Sequence, residues 1–215
     1  MQIAQIIEIV SIVLALMVAI IGHEIMHGRV AYHYGDDTAK SLGRLSINPL
    51  VHIDPIGTIL VPALLYFSNA GFLFGWAKPV PINMQTVIRN GGYNGAIAVS
   101  LAGIAYNFAL AVAASLLLRF IGKPESFSIL FLDAFLTYTL IYNIVLGVFN
   151  LLPIPPLDGS NALMFYFHKI GLHDAAKAIQ ALSRYGMILL ILIIATPLAG
   201  LIFIPMQYLI NLLLP

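Results

Sequence analysis

Cysteine is absent from the 215 residues. That excludes a disulfide framework, a thiolate nucleophile and any metal site built on sulfur, so a bound metal must use His, Asp or Glu. Charge is scarce as well: Asp, Glu, Lys and Arg make up 9% of the chain, against about 25% in average soluble domains, which excludes a water-soluble globular enzyme. Neither sign dominates, since ten Lys+Arg face nine Asp+Glu for a formal charge of +1; a nucleic-acid footprint and an acidic tail are both excluded. Low-complexity tracts, Gly/Ser linkers and internal repeats are missing too, which leaves residues 1–215 as one membrane domain. What is present is apolar: 60% of residues, with a mean hydropathy of +0.96. The partner this composition implies is a lipid bilayer.

A bilayer core about 30 Å thick takes roughly 20 apolar helical residues to cross. Runs of that kind lie at 3 to about 34, 94–118 and 128–152. No basic residue precedes the first, it is longer than a signal-peptide core and it lacks an Ala-x-Ala exit, so it is read as a retained transmembrane helix. Residues 186–214 form a fourth, C-terminal spanning helix, in which Pro197 and Pro205 predict a kink or a break. The run 56–74 is shorter, is interrupted by Gly57, Pro62, Asn69 and Gly71, and is expected to enter the membrane and return. Arg29, Lys40, Arg44, Lys78, Arg89, Lys169, Lys177 and Arg184 then share one side, with Arg119 and Lys123 opposite, so the first helix ends in the cytosol. Residues 157–184, of mixed polarity, are expected at the interface. The fold class is an all-α integral membrane protein.

Near the end of the first helix stands His23-Glu24-Ile25-Met26-His27. Residues four apart share a helical face, so both imidazoles can point at one ion, while Glu24 can reach water without being a ligand. A chance match to this pattern is expected roughly 0.002 times in a chain of this composition. Counted at about 1.5 Å per residue from Ile9, His23 lies roughly 21 Å along, inside the bilayer toward its cytosolic end. Ionisable groups there are costly and by default functional.

Catalytic zinc ordinarily takes three protein ligands. Among Asp36, Asp37, His33, His52, Asp54, Asp133 and Asp158, the last is favoured: Pro153, Pro155 and Pro156 end the third helix and hold the chain extended, and Gly159 permits a sharp turn, so the carboxylate is presented from irregular backbone. On the third helix Asn143, Gly147 and Asn150 share a face, and an amide at Asn150 can donate to a substrate carbonyl and its oxyanion. Ser100, Gly103, Asn107 and Ala111 form a small, polar stripe suited to close helix packing. Residues 76–83, Trp76-Ala77-Lys78-Pro79-Val80-Pro81-Ile82-Asn83, are expected to be extended chain with one edge free for a substrate strand. His52 and Asp54 are expected to hydrogen-bond to each other within a loop, and Glu8 to reach the outer interface. No Gly-x-Ser-Gly or Gly-x-Gly-Asp element of a serine or aspartyl intramembrane protease is present.

His23-Glu24-x-x-His27 on a membrane helix, followed much later by Asn150 and Leu157-Asp158-Gly159, resembles the site-2 protease family of intramembrane zinc metalloproteases, in a compact form with no fused PDZ or nucleotide-sensing domain. The resemblance implies a three-helix catalytic core, one Zn2+ per chain on His23, His27 and Asp158, and Glu24 as the general base. Ala102-Gly103-Ile104-Ala105-Tyr106-Asn107 resembles the family's Ala-Gly-Pro-x-x-Asn element with Ile in place of Pro, and Asn107 joins Trp76, Lys78, Pro79 and Val80 as candidate substrate contacts. Substrates implied are single-span membrane proteins, such as anti-sigma factors, often trimmed first by another protease. A metal transporter using the same His and Asp residues is the alternative; it would not need Glu24 as a base.

Overall fold

The computed structural model describes residues 3–68, 75–122 and 126–215, and among these the secondary structure is entirely helical. Helix α1 (Ile3–His33) runs 31 residues, about 46 Å at 1.5 Å per residue. Ile6, Ile9, Val10, Val13 and Val18 are exposed, as suits a helix whose surroundings are hydrocarbon. Its inward face carries Ser11, Ala15 and Ala19, all at 0% exposure. These small side chains at i, i+4 spacing let the backbone of a neighbouring helix come close.

After α1 come the short α2 (Thr38–Ser41), a 3-10 turn at Pro49–His52, a π-helical turn at Pro55–Leu60 and α3 (Val61–Phe67). Asn48 and Asp54 cap the two turns through their side chains, Asp54 accepting from Ile56 N and Gly57 N at 2.8 Å. The short apolar run expected at 56–74 is helical over its first part; residues 69–74 lie outside the described residues, as does Lys123. Residues 75–83 form neither helix nor strand.

Helix α4 (Met84–Leu118) begins ten residues before the apolar pattern does, because Asn83 caps it by accepting from Thr86 N. It breaks at Gly92 (φ +60°), a left-handed conformation that glycine adopts at no steric cost, and the membrane-length portion follows. Helix α5 (Phe127–Leu151) is capped by Ser126. Helices α6 (Asp158–Lys169) and α7 (His173–Ser183) fill the stretch of mixed polarity. The C-terminal run is not one spanning helix: it divides into α8 (Gly186–Ile194) and α9 (Ala199–Leu213) around the turn that holds Pro197, while Pro205 sits inside α9. Among the described residues, α1, α4 and α5 are each long and apolar enough to cross a membrane, and α7 and α8 together pass the same test only across a 74° bend.

Helices α1, α4 and α5 pack against one another in all three pairings, and α9 closes the far end. There Ala111, Ala114 and Leu118 meet Leu136, Leu140 and Ile144, with Ile202 and Met206 over them. Glu8 does not simply reach for the interface: its carboxylate accepts from the Tyr138 hydroxyl on α5 at 2.6 Å.

Candidate active site and metal centre

Two helices, α1 and α6, bring His23, His27 and Asp158 together. The two Nε2 atoms lie 3.0 Å apart, and Asp158 Oδ2 is 3.0 Å from the first and 3.2 Å from the second. The other ring nitrogens fix the protonation pattern. His27 Nδ1 faces the Val99 carbonyl at 2.7 Å; a carbonyl only accepts, so the proton is on Nδ1. His23 Nδ1 faces Asn107 Oδ1 at 2.6 Å, and that amide is oriented by Nδ2, which donates to Ala19 O and to Asn143 Oδ1. Nδ1 of His23 is therefore the donor as well. Both Nε2 atoms then present lone pairs to the same point as the carboxylate.

Three acceptors aimed at one another repel unless a cation lies between them. Around tetrahedral zinc with bonds of 2.0–2.1 Å, neighbouring ligand atoms sit about 3.3 Å apart, close to the spacing here. The donor set thus fits a zinc ion. Gly103 adds a second mark of fit: a Cβ there would come within 2.5 Å of His23 Cε1 and His27 Nε2, so the α4 backbone gives the imidazoles their room. The stripe Ser100, Gly103, Asn107 and Ala111 is buried throughout. Its two middle members back the cluster directly.

Asp158 arrives by a local device. Helix α5 stops before Pro153, the Pro155–Pro156 bond is cis, and α6 starts at Asp158 itself. Gly159 does not supply a sharp turn; it is helical, and its missing side chain lets the first turn of α6 sit directly on the carbonyl of Leu151. A carboxylate ligates metal in its deprotonated form, so as a ligand Asp158 is an anion.

The remaining candidates separate. Asn107 has 0% exposure and both ends of its amide engaged, so no substrate can touch it; it anchors His23 instead. Asn143 continues that chain by donating to Thr139 O at 2.8 Å. Asn150 is half-buried and gives one N–H to Leu146 O on its own helix at 3.1 Å. His52 and Asp54 do not pair with each other. His52 Nε2 donates to Ser46 O at 2.8 Å, and Asp54 is occupied as a helix cap.

Glu24 is half-buried, and its Oε2 accepts from the backbone N–H of Val80 at 2.8 Å. The segment holding Val80 is paired through its alternate amides: Trp76 N donates to Gly57 O at 3.1 Å and Lys78 N to His52 O at 2.9 Å. The expectation that this edge is open to a substrate strand is therefore corrected at Trp76, Lys78 and Val80, whose N–H groups are taken by the chain's own acceptors. At the intervening positions Pro79 and Pro81 have no N–H, which leaves Ala77 as their only amide. Along the α1 face that leads to Glu24 lies an apolar cavity of about 660 Å3, lined by Met17, Ile20, His52, Ile53, Trp76 and Ala77 among others.

The reading of residue types missed Val99, Arg44 and Asp36. Val99 acts through a backbone carbonyl, which carries no sequence signal. Arg44 and Asp36 are buried charges in loops, where one charged residue looks like any other.

Comparison with known proteins bears on what this geometry is for. The family model described as peptidase family M50 matches residues 121–194, the part that contains Asp158. YwhC of Bacillus subtilis, named as a zinc metalloprotease, is 38% identical over 200 residues, covering 91% of this chain and 84% of the relative. Rip2 of Mycolicibacterium smegmatis, named likewise, is 29% identical over 175 residues, covering 81% and 62%. Rip2 of Mycobacterium tuberculosis H37Rv is 28% identical over 188 residues, covering 87% and 68%. No solved structure matches the chain.

Proposed function

The chain belongs to peptidase family M50, the site-2 proteases, and is a zinc metalloprotease of membranes; from that premise we propose that it cuts within or beside the transmembrane segments of membrane-spanning proteins, with His23, His27 and Asp158 holding one zinc ion and Glu24 as general base. The observation that carries the reading is the convergence of two Nε2 lone pairs and one carboxylate oxygen, next to a glutamate held at a fixed place.

Zinc bound in such a site supplies Lewis acidity, which acidifies water and polarises a carbonyl. The protein's own residues do the rest. Glu24, with Oε2 tied to Val80, has Oε1 available to take a proton from water and return it to the leaving amine nitrogen. Asn150 retains a second N–H beyond the one given to Leu146 O, and that donor is assigned to the substrate carbonyl and its oxyanion. Asn107 and Val99 hold the imidazole tautomers that keep both Nε2 atoms unprotonated. The cavity beside Met17 and Ile20 suits an apolar segment arriving one helical turn from Glu24, with Trp76, Lys78, Pro79 and Val80 bounding its approach. The excess of Lys and Arg at the His23 end of α1 supports an active site facing the cytosol.

Reconstitution in micelles with a single-span peptide tests this. The native chain should carry one zinc and cleave; Glu24→Gln should keep the zinc and cleave at least about 100-fold more slowly. Undiminished cleavage by Glu24→Gln would overturn the assignment, and metal movement across vesicles with no cleavage by the native chain would favour the transporter.

A further inference from the structure

The hydrogen bond from Val80 N–H to Glu24 joins two parts of the chain 56 residues apart, and everything around it acts to fix its length and direction. Upstream, Lys78 N donates to His52 O at 2.9 Å, while the buried Arg44 guanidinium donates through Nη2 to Lys78 O at 2.8 Å and Pro79 O at 3.3 Å. Downstream, Asn83 N donates to Asp36 Oδ2 at 2.6 Å, and Asp36 is itself held by Thr38. Pro79 and Pro81 flank Val80 and restrict φ on both sides. The Val80 side chain is buried against α1 at Gly28, where a Cβ would approach Val80 Cγ1 to 2.9 Å and Leu45 Cδ2 to 2.6 Å. A backbone amide pinned on both sides and pressed against the helix that carries Glu24 has little freedom left.

We propose that the Val80 amide is a positioning group for Glu24: with Arg44 as its clamp, it fixes one carboxylate oxygen so that the other is presented to the reacting water. A glutamate on a helix surface otherwise samples several rotamers, and a general base displaced by about 1 Å can lose on the order of 100-fold in rate. The donor is a backbone N–H, which does not titrate and cannot rotate away. This inference rests on Glu24 being the general base.

Proline at position 80 deletes the donor while keeping an extended chain between two existing prolines. In the zinc-loaded protein acting on a single-span peptide in micelles, Val80→Pro is expected to lower kcat at least about 10-fold, with KM within about 2-fold and zinc still at one per chain. Val80→Ala trims the side chain but keeps the N–H and is expected to lose at least about 3-fold less in kcat than Val80→Pro. If Val80→Pro fails to hold zinc, Arg44→Gln decides: loss of kcat with zinc retained supports the clamp, and native kcat overturns it. Unchanged kcat in Val80→Pro, an effect confined to KM, or an equal loss in Val80→Ala would each overturn the proposal. A readout independent of activity is amide exchange in the metal-free protein. There Val80 N–H should exchange at least about 10-fold faster in Glu24→Ala while Lys78 N–H is unmoved; equal Val80 rates would overturn the tie. Should the native chain cleave nothing, the protease reading fails, and the exchange result still decides whether Val80 holds Glu24.

Discussion

Asn107 accepts the Nδ1–H of His23 at 2.6 Å from a position where its own amide is locked by Ala19 O and Asn143. Hydrogen bonds of this kind orient a ligand ring and raise its basicity, and losing one typically costs about 10–100-fold in metal affinity. Asn107→Ala should therefore weaken zinc binding by about that factor, measured by competition with a chromophoric chelator. Asn107→Asp, which keeps an acceptor, should weaken it less.

Gly103→Ala provides an unusually clean test of room. Alanine is the better helix former by about 1 kcal/mol, so α4 itself should not suffer, yet the new Cβ would stand 2.5 Å from both imidazoles. Zinc content after purification should fall well below one per chain with helicity by circular dichroism unchanged. Full zinc occupancy in this variant would contradict the packing described.

Asp158 ligates metal as a carboxylate, so Asp158→Asn removes the anionic ligand while keeping its size. Zinc should then be stripped by chelator concentrations that leave the native protein loaded. Chelation should also lower the melting temperature of the native chain, since metal at 100 times Kd stabilises by about 2.7 kcal/mol, and readded zinc should restore it. Asp158→Asn should show a much smaller chelator-dependent shift.

Ala19 has 0% exposure, and its carbonyl accepts from Asn107. Ala19→Leu forces three carbons into the α1–α4 contact, for which overpacking costs typically run to about 1–3 kcal/mol. The expected result is lower thermal stability together with weaker zinc binding, because the same displacement breaks the bond that orients Asn107. Loss of stability without loss of zinc would separate the two.

Spacing made part of this molecule legible. His23 and His27 four residues apart, the apolar runs that became α1 and α5, and the Pro-rich approach to Asp158 were all open to a reading of residue types, because each is a local pattern with a local cause. Other features depend on atoms that sequence does not display. Val80 meets Glu24 through an amide that every residue but proline owns, Val99 contributes a carbonyl, and Gly103 and Gly159 act by lacking a side chain. The edge expected to be free at 76–83 is covered because its acceptors, Gly57 and His52, come from short helical turns whose course is set by tertiary packing. Similarly, Pro197 signalled an interruption, but whether α8 and α9 stay in line across it depends on what they pack against, and α9 docks on α5.

The metal cluster draws on positions separated by 135 residues of chain. During synthesis at about 5–20 residues per second, the second contribution leaves the ribosome roughly 7 to 27 s after the first. For that interval the nascent chain carries its two histidines with no carboxylate to complete the cluster. A centre assembled in this order cannot close on a cation through all three side chains until the chain has been made as far as Asp158.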